Sequence, residues 1–414
     1  MRSISWPGLP RALIATSETS VPSHCQDHVS TLVFSARQTG VRKQGLAAVR
    51  HAVGTGLLWW ASASLAAPPA LSDIADAYTV SLGGQVGTLN YFVARRTAAP
   101  ADDVAVSALV ALHGHPRDAG KTLAAAALAA RQAGRAADTL VVAPLFQVAS
   151  PADAHCHSAG VPAAKPDDAL WTCGSWMAGG AAKGSSVTSF AALDQLLADL
   201  KQRWPRLQNV TVTGFSAGGQ FVQHYIGFAH PPAGMTLRYV VADPGTWLYF
   251  DAVRPVPQRD GQPVDWQTCT QESGSGACSY GFAPPSTAQQ CPDYSRWKYG
   301  TAQLPAALVS TAEAARQRYA RSEVAYLEGA LDMGAGPGTA YRLLDKSCEA
   351  QMQGPYRLQR GLAYLAYDRQ VLATQQRRRL VVVPGCAHDV SCVFPSAEAA
   401  AVLFTGTSEK SNDQ

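Results

Sequence analysis

Two hydrophobic periods alternate along this chain. Apolar or β-branched runs at residues 104–112 (VAVSALVAL), 139–144, 209–213, 237–242, 323–327 and 380–383 are short and nearly continuous. They predict strands covered on both faces, as in a parallel sheet. Residues 76–82 and 89–95 instead alternate apolar with polar around Gly83 and Gly84, which predicts an edge hairpin. Helical spacing runs over 122–137, 186–204, 219–227, 306–321, most of 348–374, and 397–404. Strands alternating with helices predict an α/β fold, with a mostly parallel central sheet flanked by helices.

Three regions break the pattern. Residues 146–185 read as loop. Residues from 245 to about 300 carry Trp, Tyr, Pro, Gly and three cysteines with no period, and predict a disulfide-held insertion after the strand that follows the 219–227 helix. Residues 406–414 are a polar tail, expected to be disordered. The main domain is therefore expected to span 67–405.

The first 66 residues differ from the rest. A basic stretch (Arg42, Lys43, Arg50, His51) precedes the apolar run AVGTGLLWWA at 52–61, and small residues follow up to Ala66. That order predicts a secretory signal peptide over about 41–66, cleaved after Ala66. Its apolar run is too short to cross a membrane, so no span is expected in the mature chain. Because the signal begins forty residues in, we expect translation to start at Val41, with 1–40 as upstream sequence.

Export changes the charge reading. Removing six basic and two acidic side chains from totals of 34 and 30 leaves 28 of each. The net charge of +4 thus belongs to the leader and is no argument for a nucleic-acid partner. Eight cysteines remain once Cys25 is removed, an even number that predicts disulfides in a periplasmic or extracellular protein. We expect Cys156–Cys173 and Cys386–Cys392 as local loops, with Cys269, Cys278, Cys291 and Cys348 pairing among themselves.

The chemistry gathers at strand ends. Gly214-Phe215-Ser216-Ala217-Gly218 sits between a predicted strand and a predicted helix, the setting in which Gly-x-Ser-x-Gly lifts a serine hydroxyl clear of the sheet. A serine needs a base, and a histidine serves best when a carboxylate orients its second nitrogen. Ser216, Asp332 and His388 each follow a predicted strand in that chain order, with Asp243 as an alternative acid. The expected oxyanion donors are the amides of Ala217 and of His115, the latter within His113-Gly114-His115-Pro116, where Pro116 has no N–H. His155-Cys156-His157 lacks a spaced ligand pattern, so no metal is expected, and no cofactor is implied. Trp176, Trp247 and Tyr249 lie in loops predicted near the site and are candidates to line the substrate pocket.

The segments HGHP (113–116), GFSAGG (214–219), EGALD (328–332) and GCAHD (385–389) resemble those of the α/β-hydrolase superfamily. The chain is similar to secreted bacterial serine esterases of the polyester-depolymerase-like and feruloyl-esterase-like groups. Two features depart from them: HGHP replaces the HGGG of many lipases, and the 245–300 insertion matches no cap we can assign. The resemblance implies an α/β-hydrolase fold and a serine hydrolase of small or polymeric esters. Competing readings are an amidase or peptidase with the same residues, and a non-catalytic binding protein on the same scaffold.

Overall fold

The computed structural model describes residues 71–83, 86–95, 105–270 and 278–404. The predicted signal peptide, the upstream segment and the C-terminal tail lie outside them. The predicted runs become eight strands of one sheet: β1 (Ala75–Ser81), β2 (Thr88–Ala94), β3 (Ser107–Leu112), β4 (Thr139–Leu145), β5 (Asn209–Phe215), β6 (Thr236–Ala242), β7 (Glu323–Gly329) and β8 (Arg379–Val383). Their order across the sheet is β1-β2-β4-β3-β5-β6-β7-β8. β1 pairs antiparallel with β2, and β2 with β4; every later neighbour pairs parallel.

The near-continuous apolar runs are explained by burial on both faces. Val110 and Leu112 point into one core with Leu193, Leu196, Phe221 and Tyr225. Their neighbours Leu109 and Ala111 point into the other, with Leu123, Ala126, Val402 and Leu403. Helices α1 (Ala119–Gln132) and α6 (Ala397–Leu403) cover the second face. The first is covered by α2 (Ser189–Arg203), α3 (Ala217–Tyr225), α4 (Ala312–Arg321) and α5 (Arg357–Tyr367).

Element edges moved where local chemistry outweighed periodicity. α1 ends at Gln132, ahead of Gly134 at φ 68°, rather than running to 137. α4 starts at Ala312, not 306, because the Thr311 side chain accepts from the Ala314 amide at 3.1 Å and caps it there. The long helix expected over 348–374 is three pieces, Cys348–Gln351, α5 and a π-turn at Asp368–Leu372.

The 245–300 insertion is not wholly irregular. Arg254–Arg259 pairs antiparallel with both Gln262–Pro263 and Ser279–Ala283. The four disulfides are Cys156–Cys173, Cys269–Cys278, Cys291–Cys348 and Cys386–Cys392. The second closes a loop within the insertion, and the third ties it to the helical segment before α5. Among the described residues no helix is long and apolar enough to cross a membrane.

Candidate active site

Ser216 occupies the turn between β5 and α3 with φ 58° and ψ −117°, a backbone state that non-glycine residues rarely adopt. Three glycines make the turn possible by letting backbone pass close to backbone. A methyl at Gly214 would overlap the Gly218 carbonyl, and one at Gly218 the Leu112 and His113 carbonyl oxygens. One at Gly219 would overlap the Ala242 carbonyl oxygen, which also accepts from the Ser216 amide at 3.0 Å. Because that oxygen is fixed in β6, Gly219→Ala is expected to destabilise the protein by at least about 1–3 kcal/mol, read from the denaturation midpoint.

His388 and Asp332 meet across two loops. His388 Nδ1 lies 2.7 Å from Asp332 Oδ2, and Asp332 is buried. The carboxylate accepts a hydrogen bond from Nδ1–H, which leaves Nε2 free as an acceptor on the neutral ring. Leu331 N donates to Cys386 O at 2.8 Å and His388 N to Gly338 O at 3.0 Å, which ties the acid loop to the histidine loop. The Cys386–Cys392 bond closes the histidine loop, and the Phe215 ring packs 4.8 Å from the imidazole. Burial, then the nearby Arg357 cation, hold the His388 pKa below the usual imidazole value. The ring is therefore uncharged at neutral pH and able to take a proton.

Asp243 stands close by without touching the imidazole in this way. Its Oδ1 accepts from the Gly329 amide at 2.9 Å, while a carboxylate oxygen of Asp243, one of Asp332 and a ring nitrogen of His388 lie within 4.8 Å of one another. Of the two candidate acids, Asp332 is the one hydrogen-bonded to the histidine.

The loop after β3 is fixed from inside. His113 is buried, and its Nε2 accepts from the Phe146 amide at 3.3 Å, so Nδ1 carries the proton toward Gly114 O at 2.9 Å. Burial lowers its pKa to about 4, so it stays neutral and serves as a brace. Asp118 Oδ1 accepts from Gly114 N at 3.0 Å, and buried Arg117 donates to Cys156 O and Gln147 Oε1. Cys156, between His155 and His157, is bonded to Cys173.

Ser216, Ala217, His115 and His388 line one cleft of about 440 Å³, together with Met177, Phe215, Leu343 and Val390. Ala217 is the first residue of α3, so its amide has no partner within the helix. The cations at this cleft are paired: Lys121 with Asp389, Lys298 with Asp345, and Arg357 with Asp332. A second, apolar trough of about 920 Å³ adjoins it and shares Pro116, Asp118 and Lys121.

The three aromatic candidates are corrected by the structure. Trp176, Trp247 and Tyr249 are fully buried, and none lines the cleft. Trp176 stacks on Phe146 and meets His113 edge-on; Trp247 stacks on Tyr364 at 4.4 Å; Tyr249 packs on Tyr367 beneath the Arg254 guanidinium. Their large rings fill the core beneath the site, where burial favours them more than solvent exposure would.

Arg357 was not foreseen. Its Nη1 donates to Thr339 O at 2.8 Å and lies 3.4 Å from Asp332 Oδ1, holding the carboxylate from the side opposite His388. Its only sequence signal is an arginine opening α5, which does not stand out among many arginines.

No family model matches this chain, and no curated protein does. Among solved structures it is similar to poly(aspartic acid) hydrolase-1 from Sphingomonas sp. KT-1, at 17% identity over 80% of this chain and 98% of that one, with a TM-score of 0.52. It is also similar to LpqC, the poly(3-hydroxybutyrate) depolymerase from Bordetella parapertussis, at 18% identity over 80% and 90% of the two chains, with a TM-score of 0.51.

Proposed function

We propose that this chain, an α/β-hydrolase by fold, is an exported serine hydrolase of carboxylic esters. The observation carrying this reading is a serine on a strained elbow in one cleft with a neutral histidine bound to a buried carboxylate. Ser216 Oγ attacks the ester carbonyl as its proton passes to His388 Nε2. The oxyanion accepts hydrogen bonds from the amides of Ala217 and His115. The C–O bond then breaks, and the alcohol departs with the proton from His388, leaving an acyl-serine. Water attacks that intermediate, gives its proton to His388, and releases the acid as Ser216 recovers its proton. Asp332 orients the ring and stabilises the imidazolium formed in each half.

Several observations support the substrate class. Met177, Phe215, Leu343 and Val390 suit the hydrocarbon part of an ester, and the lysine and arginine cations of the cleft are already paired. The adjoining trough gives room for a chain longer than a simple acetate. Four disulfides fit an oxidising compartment, supporting export to the periplasm or beyond.

The similar structures are named for a poly(aspartic acid) and for a polyester, so amide cleavage is the second reading. A panel of p-nitrophenyl esters of increasing acyl length set against aminoacyl p-nitroanilides separates the two. Ester turnover is expected, with KM falling as the acyl chain lengthens. Anilide turnover without ester turnover would replace the ester reading by the amidase one.

A further inference from the structure

Behind Asp332 lies a second carboxyl couple that the hydrolytic steps do not use. Glu328 and Asp243 are both fully buried at the ends of β7 and β6. Ala242 pairs in register with Leu327, and the Asp243 amide donates to Leu327 O at 3.0 Å, which makes the carboxyls of Asp243 and Glu328 neighbours across the strand ends. Two neighbouring carboxylates cannot hydrogen-bond, since each is an acceptor only, whereas a proton on one lets it donate to the other. Among the described residues no donor reaches either Glu328 oxygen or Asp243 Oδ2, and each of these atoms is shut off from solvent. An ionised Glu328 would be a buried charge without a partner, which is costly.

The surroundings are shaped around the couple. Gly361 on α5 packs against Glu328, and a methyl there would overlap Oε1. Asp243 is held at φ 43°, and its Oδ1 takes the Gly329 amide, one residue after Glu328. The other ionisable groups facing the couple are Asp332 on the acid loop, His388 on the histidine loop and Arg357 on α5. Arg360, also on α5, directs its guanidinium to the carbonyls of Gly354, Gly245 and Asp345. Asp118, from the loop after β3, faces His388.

We propose that Glu328 is a neutral carboxylic acid whose proton is donated to Asp243, and that this bond positions the Asp332–His388 pair from behind. It fastens β6 to β7 at the point where the acid loop leaves the sheet. It also leaves one negative charge, not two, on the couple behind Asp332. Burial first, and then the neighbouring carboxyl, push the Glu328 pKa well above the ordinary carboxyl range, in the same direction. The positioning role rests on the hydrolase reading; the protonation state does not.

Two measurements on the whole protein separate those parts. Infrared spectra at neutral pH are expected to show the carbonyl band of a protonated carboxyl group in wild type, absent in Glu328→Gln. An NMR titration is expected to give the same His388 midpoint in wild type and in Glu328→Gln, because one neutral donor replaces another. A midpoint falling by about 1 pH unit, or a wild-type spectrum without the band, would mean an ionised Glu328 and overturn the proposal. For positioning, Glu328→Leu is expected to lower kcat at least tenfold with KM little changed, whereas Glu328→Gln stays within about threefold of wild type. Equal losses in the two variants, or a loss in KM alone, would overturn the positioning role. If Glu328→Leu does not fold, Glu328→Gln alone decides, since a loss beyond tenfold in it contradicts the role. Absence of ester turnover in wild type would sink the hydrolase reading while leaving the infrared and NMR results to stand.

Discussion

Ser216→Ala is expected to lower kcat on a good ester substrate by about 10⁶-fold, with folding intact. That loss corresponds to roughly 8 kcal/mol of transition-state stabilisation. It is large because His388 and Asp332 act only through the serine: without Oγ there is nothing for the imidazole to deprotonate. A residual rate is expected to persist, since Ala217 and His115 still line the cleft and their amides are the proposed donors to a bound carbonyl. Folding should survive, because the Ser216 amide and not its hydroxyl bonds Ala242 O, and alanine fits the space. Steady-state kinetics alongside a denaturation curve check both halves. A loss below a hundredfold in a folded variant would mean that another group attacks.

The second large effect separates the two acids. Asp332→Asn is expected to lower kcat by about 10⁴-fold, because an amide holds the imidazole in the wrong tautomer and cannot stabilise the imidazolium. Asp243→Asn is expected to cost less than about a hundredfold, because Asp243 takes the Gly329 amide and not the ring. The side-by-side kinetics of the two variants decide the assignment. The reverse order of losses would make Asp243 the acid.

Much of this was legible in the residues, for reasons that differ by element. Parallel strands buried on both faces carry a dense apolar signal, so β3 to β8 were visible as runs, most within one or two residues of their observed limits. The elbow was legible because it needs glycine at fixed offsets; Gly214, Gly218 and Gly219 each sit where a Cβ would strike backbone. What was not legible depended on tertiary placement. Loop position alone suggests Trp176, Trp247 and Tyr249 for the pocket, but a loop that crosses the core buries its aromatics. Arg357 and Glu328 gained their surroundings from partners far along the chain, Asp332 and Asp243, which no local pattern pairs with them. Asp332 and Asp243 both follow strands and read alike in the sequence; the 2.7 Å contact with His388 tells them apart.

That contact and the strained turn at Ser216 make one central claim, that Ser216 is an activated nucleophile. It is tested most directly by treating the folded, full-length protein with a fluorophosphonate probe and mapping the modified peptide by mass spectrometry. The account predicts one stoichiometric adduct on Ser216, lost in Ser216→Ala and in denatured protein, and greatly slowed in Asp332→Asn. A folded wild-type protein that takes up no probe, or takes it up on another residue, would contradict it.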